Sequence, residues 1–269
     1  MAILDLIDTL VWVALLVVLL WPVWQRRLLE VRRVGGLERL GRARGSRAIA
    51  LIARRETDRL LGFPLRERQV FDLPEGVLRA IGRTPPRTPI DLVLHVGPEH
   101  SLAAEQIAHA LVRHAGRVTV FVPYRAGGGG LLIALAANEI ILDPNAVLGP
   151  VAPQVGPYPA ASLLLATRDK DAVHFADETL ILADQARKVA AQSRALITEL
   201  LLARAPERED AEQVAGLLAG FDWTPHYPIL FEEARRLGLP VGDELPPEVH
   251  ALMELYDTTT AQRPTVSRA

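Results

Sequence analysis

The sequence predicts an α/β domain carried behind one N-terminal transmembrane helix. Three observations predict it. Apolar, largely β-branched runs at Ile90–His95, Val118–Val122 and Glu139–Leu142 read as buried strands. Helix-like runs over 102–114 and from about 131 alternate with them, which is the pattern of an α/β fold. From about residue 6 to residue 24 the chain is almost wholly apolar.

The apolar run comes first. Roughly 19–20 helical residues at ~1.5 Å each span the ~30 Å hydrocarbon layer. Trp12, Trp21 and Trp24 suit its interfaces. A cleavable signal peptide is the rival reading and fits poorly. Asp5 and Asp8 stand where a basic region should be, and no small-x-small site follows. Arg26, Arg27, Arg32 and Arg33 follow the run directly. The positive-inside rule then puts the N-terminus outside and the following domain in the cytoplasm. This arginine flank also suits anionic headgroups, but a solvated stop-transfer signal is the simpler reading. The expected organisation is a transmembrane anchor over 1–25, a basic, partly helical connector over 26–44, a domain over 45–256 and a polar, loose tail over 257–269.

The domain reads in order as follows. Residues 48–52 form a first strand, 54–68 a polar stretch, 70–73 a short strand and 73–81 a short helix. Thr84-Pro85-Pro86-Arg87-Thr88-Pro89 is a proline-stiffened loop. Strand Ile90–His95, helix 102–114 and strand Val118–Val122 follow. After Glu139–Leu142 come turns at 143–146 and 149–150, a long helix over 177–203 and another over 209–218. The remainder to 256 mixes turns and short helices.

Composition excludes some functions. The chain has 269 residues and a formal charge of -2, so charge gives no case for nucleic-acid binding. It has no cysteine, which removes disulfides and thiolate metal sites. Lysine is nearly absent, at Lys170 and Lys188 only. No cofactor is expected.

The stretch that carries most information is Arg125-Ala126-Gly127-Gly128-Gly129-Gly130-Leu131, between a strand and a helix. A glycine-rich strand-to-helix turn is where many α/β enzymes hold a nucleophile or an anion. This turn has the scaffold but no reactive side chain. Gly127, Gly128, Gly129 and Gly130, with His95 at the end of the preceding strand, are the groove or anion-binding candidates.

Several stretches together resemble the serine dehydrogenase proteinase family, a branch of the ClpP/crotonase superfamily related to signal peptide peptidase A. They are Ile90–His95, 103–108, 132–140, 143–150, 177–184, 220–224 and 227–229, and the match is collinear from about 45 to 256. The resemblance implies a spiral of ββα units, a serine-peptidase ancestry and a tendency to form ring-like or stacked oligomers.

The chain departs from the family where chemistry is expected. The family turn reads roughly Ala-Met-Ser-Gly-Gly-Thr. Anchored on the helix that follows, its nucleophile serine falls at Gly128, which has no group to attack a carbonyl. The family's His-Thr-Pro-Gly-Gly is here His95-Val96-Gly97-Pro98-Glu99, so the glycine whose N–H helps hold the oxyanion falls at Pro98, which has none. Losing one such donor typically costs ~10²–10³ in rate. The family's Val-Asp-Pro-Gln is Val151-Ala152-Pro153-Gln154. Lys188 sits where the family also has a lysine, and relatives use a lysine base. It is either a relic base or a plain exposed helix lysine.

Other residues offer weaker substitutes. Glu99, His100 and Ser101 are adjacent, and adjacent residues seldom reach relay geometry, so Ser101 reads better as a helix N-cap. His95, Glu99, His100 and His226 lack a metal-site spacing, and no metal site is expected. The glycines are not followed by the Lys-Ser/Thr of a P-loop. Three functions remain open. The chain is an inactive peptidase homologue that binds a peptide in the old groove or joins an active relative in a homo- or hetero-oligomer. Alternatively it is a hydrolase with a displaced nucleophile such as Ser101 or Ser162. The third option is a binder of an acyl or anionic group.

Overall fold

A computed structural model of the chain describes residues 2–60, 63–70, 74–97, 102–168 and 175–256. The core is a five-stranded parallel sheet. Its strands are β1 (Arg47–Ile52), β4 (Ile90–His95), β5 (Val118–Val122), β7 (Glu139–Leu142) and β11 (Val241–Gly242), in the order β1-β4-β5-β7-β11. Register pairs Arg47 with Ile90, Ile90 with Val118, Thr119 with Glu139 and Val241 with Ile140. Every residue of β4 and β5 is buried, as expected of central parallel strands covered on both faces.

Alternation along the strands sorts the side chains to two faces. Leu92, Leu94, Val118 and Val120 pack under the helices α2 (Pro74–Arg83), α3 (Leu102–Arg113) and α4 (Gly129–Leu135), and under the long α6 (Asp177–Arg204). At the end of α6, Arg204 donates to the carbonyls of Ala136 (2.8 Å) and Leu111 (2.9 Å), satisfying groups that α4 and α3 leave open. Val93, Phe121, Ile141 and Ile52 face the other way, against α9 (Pro247–Met253) and the end of α1 (Ala2–Arg44).

A shorter second layer crosses the ends of these strands. Strand β6 (Arg125–Ala126) follows β5 and pairs in parallel with β8 (Val147–Leu148), which follows β7. Val96, just after β4, bridges to Ala126. Each long strand is thus continued by a short one, and after β6 the chain turns into α4. Beyond these lie the hairpin β9 (Gln154–Val155) and β10 (Tyr158–Pro159), then α5 (Ala160–Arg168), α7 (Ala211–Leu218) and α8 (Phe231–Arg236).

Three expectations need revision. The polar stretch 54–68 was assigned no element by the sequence. It forms an antiparallel ribbon of β2 (Arg54–Leu60) and β3 (Phe63–Val70), paired from Arg54↔Val70 to Leu60↔Phe63. It joins no other sheet, so it lacks the apolar face that strand recognition relies on. The short strand expected at 70–73 is represented by Val70, the last residue of β3, and 71–73 lie outside the described residues. The segment 26–44, expected to be partly helical, is helical throughout. It is the second half of one 43-residue helix, α1, about 65 Å long at ~1.5 Å per residue. Its last turns dock on the domain. Leu40 is fully buried among Val249, Leu252 and Tyr256, Arg33 Nε donates to the Leu255 carbonyl (3.0 Å), and the Arg33 guanidinium lies 4.3 Å from the Tyr256 ring centre.

Among the described residues no helix is long and apolar enough to cross a membrane. The side chains of most of 2–23 lie outside that description, while Trp12, Trp21 and Trp24 are exposed. The tail 257–269 lies outside the described residues as well.

One polar contact fastens α1 to the sheet. Asp91, on β4 and 2% exposed, accepts hydrogen bonds from Arg44 Nε and Ser46 Oγ, both at 2.7 Å. The Arg44 guanidinium also lies 5.0 Å from the Phe121 ring centre. Arg44→Met leaves the Asp91 carboxylate buried with half its donors. It is expected to lower the unfolding free energy by about 2–3 kcal/mol, the low end for a broken buried pair because Arg44 is partly exposed. Asp91→Asn keeps an acceptor and should lose less. Urea denaturation of both variants decides between them.

Candidate active site

The end of β4 and the glycine turn meet at one end of the sheet. Val96 N–H donates to the Arg125 carbonyl (3.1 Å), and Gly127 N–H donates to the Val96 carbonyl (3.4 Å). These bonds bring His95 and Gly127–Gly130, separated by some thirty positions, into one neighbourhood. The turn itself is tight. Gly130 N–H reaches the Gly127 carbonyl (2.8 Å), and Leu131 N–H reaches that of Gly128 (3.1 Å).

Gly128 precedes α4 with φ 52° and ψ -116°. Few L-residues adopt that conformation without strain, whereas glycine does so freely. It is the sharp strand-to-helix turn on which α/β hydrolases mount a nucleophile. Here nothing is mounted on it. The N–H groups of Gly128 and Gly129 have no hydrogen-bond partner among the described residues, as expected at a helix start. Gly130 is demanded by space instead. A Cβ there would lie 2.2 Å from Val96 Cγ2.

His95 is 8% exposed, and its Nδ1 is buried with no hydrogen-bond partner among the described residues. Its ring meets Tyr124 edge-on, with centres 5.6 Å apart. Burial, helped by the nearby Arg125 charge, pushes the imidazole pKa down to about 4. His95 is therefore neutral at pH 7, an uncharged polar group beside an exposed guanidinium. Sequence reasoning did not single out Tyr124, and it named Arg125 as the first residue of the glycine stretch without giving it a role. The only signal was their position immediately before the glycine run.

Two cavities adjoin. One of about 160 Å³ is lined by Arg125, Gly127, Gly149, His226 and Tyr227. The other, about 250 Å³, lies between Ala152, Ser162 of α5 and Trp223. Trp223 stacks on Tyr227 with centres 4.6 Å apart, and Tyr227 donates its hydroxyl to Glu233 (3.0 Å). Ala152 has φ 39°, the one non-glycine with positive φ among the described residues. An aspartate, which the sequence resemblance places at this position, adopts that region more readily.

The other sequence candidates are more scattered. Lys188 is on the surface of α6, its side chain 68% exposed and its Nζ 2.6 Å from Asp184. A relic base requires desolvation, and the single chain does not provide it. Ser162 is exposed on α5, and His226 is exposed at the rim of the smaller cavity. Pro98, Glu99, His100 and Ser101 lie outside the described residues. Among the described residues, no three His, Asp or Glu side chains are placed to hold a metal ion.

The resemblance implied a serine-peptidase ancestry, and the comparison with known proteins agrees. Residues 1–268 match the ClpP-like SDH-type serine proteinases. The chain belongs to this family. Two similar relatives are uncharacterized proteins of Methanocaldococcus jannaschii, MJ0137 and MJ1495. The first is 43% identical, covering 97% of this chain and 91% of its own length. The second is 39% identical, covering 96% and 88%. Among solved structures, ClpP1 from Listeria monocytogenes aligns with 82% of this chain and 97% of its own, at 13% identity and a TM-score of 0.43. A mutant of the 1510-N membrane-bound stomatin-specific protease aligns with 68% and 76%, at 16% identity and a TM-score of 0.41.

Within this family member, two measurements test the site's geometry. Gly130→Ala should cost about 1–3 kcal/mol through overpacking against Val96. Val96→Ala in the same chain should recover part of that loss, a coupling that a double-mutant cycle in urea reads directly. His95 makes stability depend on pH. The unfolded imidazole takes up its proton near pH 6.5 and the folded one only near pH 4. The unfolded chain therefore binds more protons between those values. The stability of the neutral form is complete above pH 6.5 and falls as pH drops toward 4, by on the order of 3 kcal/mol. His95→Gln should flatten that part of the stability–pH curve.

Proposed function

We propose that this family member is a membrane-anchored protein that has lost nucleophilic catalysis and acts as a peptide-binding, scaffold or regulatory subunit. The observation that carries the reading is Gly128. It occupies the elbow with φ 52° and ψ -116° and offers no hydroxyl, thiol or amine. Pro98, which has no N–H to give an oxyanion, supports it from the sequence. The exposed, paired Lys188 supports it from the structure. What the turn keeps is backbone polarity: two N–H groups without partners, next to Arg125. These favour a ligand with a carbonyl or an anionic group over bond cleavage. Binding of an acyl or anionic ligand is therefore the second reading.

Anchoring rests on the apolar run over 6–24 and the arginines that follow. In this reading the N-terminus is outside and the domain is cytoplasmic, held close to the bilayer by the docked end of α1. Partners are a second copy or an active relative in an oligomer, and a peptide in the groove.

The test uses the full chain in detergent, because cutting at residue 45 would remove Leu40 from the core. The natural protein, Gly128→Ser, and Gly128→Ser with Pro98→Gly are treated with a fluorophosphonate and with casein. The natural protein should remain unlabelled and leave casein intact, and the double variant should gain label. Labelling of the natural protein at Ser162, or at any other hydroxyl, would establish a displaced nucleophile and overturn the proposal.

A further inference from the structure

β1 is an edge strand, and its free edge lies at the bottom of a groove. Backbone bonds from Arg47 N–H to Pro89 and from Ala53 N–H to His95 fix the odd-numbered residues of β1 toward β4. The N–H and C=O groups of Ala48 and Ala50 therefore point away from the sheet, and they have no partner among the described residues. Val34, Leu37 and Gly41 of α1 form one wall over them, and Gly76, Val77 and Ala80 of α2 form the other. The groove has a volume of about 910 Å³. Beside Arg47 and Ile49, its floor carries the small side chains and unpaired main-chain groups of Ala48 and Ala50. Such a site fits an extended backbone, bound by main-chain hydrogen bonds. Left open, an edge of this kind is a template for unwanted pairing.

The chain supplies a segment of the right kind in the right place. The described structure ends at Tyr256, whose ring is stacked by Arg33, one residue before Val34 on the groove wall. Thirteen residues, 257–269, follow. Extended at ~3.3 Å each they reach about 43 Å, while β1 itself is only about 20 Å long. The path from Tyr256 must pass over α1, about 10 Å across, which this length allows. Thr258-Thr259-Thr260 and Thr265-Val266 are β-branched, as strand residues tend to be. Arg263 and Arg268 are opposite in charge to Glu38 on the groove rim. We propose that residues 257–269 add to the open edge of β1 as an extended strand, in the groove between α1 and α2 of the same chain.

The absence of cysteine makes cross-linking a clean test in the full chain. Ala80→Cys, on the α2 wall, is combined in turn with Thr258→Cys, Thr260→Cys and Gln262→Cys. Glu207→Cys, exposed and outside the groove, replaces Ala80→Cys in the control. At least one Ala80 pair should oxidise to an intramolecular disulfide well ahead of its control. A chain ended at Asp257 should exchange the Ala48 and Ala50 amides at least about tenfold faster than the full chain. A synthetic peptide of residues 257–269 should restore the slow exchange. Cross-links that appear only as dimers would overturn the proposal in favour of a second copy's tail. Equal cross-linking in the control, or exchange unchanged by the deletion, would overturn it outright.

Discussion

A parallel sheet buried on both faces sets the terms for the rest of this molecule. β4 and β5 have no solvent-facing side, so each face needs its own cover. The helices between the strands cover one face. The other is covered by α9 and by the last turns of α1. Leu40, at the end of the helix that begins with the apolar run, is as deeply buried as any residue of the sheet. Burying a leucine fully contributes about 1.5–3 kcal/mol. The Asp91 carboxylate then fixes where α1 ends, because it is left short of donors unless Arg44 and Ser46 are in place. The N-terminal helix is therefore joined rigidly to the domain, and whatever holds that helix also orients the sheet.

The same sheet explains how the turn holds its shape with no side chain on it. The elbow at Gly128 is enforced by its surroundings: the Val96 bonds, the close Gly130 contact and the fully buried α4. None of these needs a nucleophile. Glycine takes up φ 52° and ψ -116° at the elbow without strain, whereas most side chains there would store it. His95 is a polar side chain in the interior whose Nδ1 has no hydrogen-bond partner among the described residues. Such groups persist where function once required them or where a ligand completes them.

Much of the fold was legible in the sequence. The three central strands were visible as β-branched apolar runs, and the long helix over 177–203 was within one residue of α6, because central strands and long amphipathic helices carry strong periodic signals. The ribbon of β2 and β3 was not legible, since its residues are polar and its pairing is local. The glycine turn and His95 were legible as candidates, and the structure joins them through Val96. The contribution of Arg125 and Tyr124 was not, because adjacency to His95 is a contact between strands β4 and β6 that sequence order does not encode.

By itself the sequence determined the α/β class, the order of the central strands along the chain, the absence of a side chain at residue 128 and the kinship with the serine proteinases. Those depend on residue identity and local periodicity. The tertiary structure decided that the basic segment after the apolar run belongs to the core, that Lys188 is at the surface and paired, and that the edge of β1 is left open beneath a groove. Each of these depends on which distant elements pack together, and long-range packing is set by the whole chain burying its apolar surface at once.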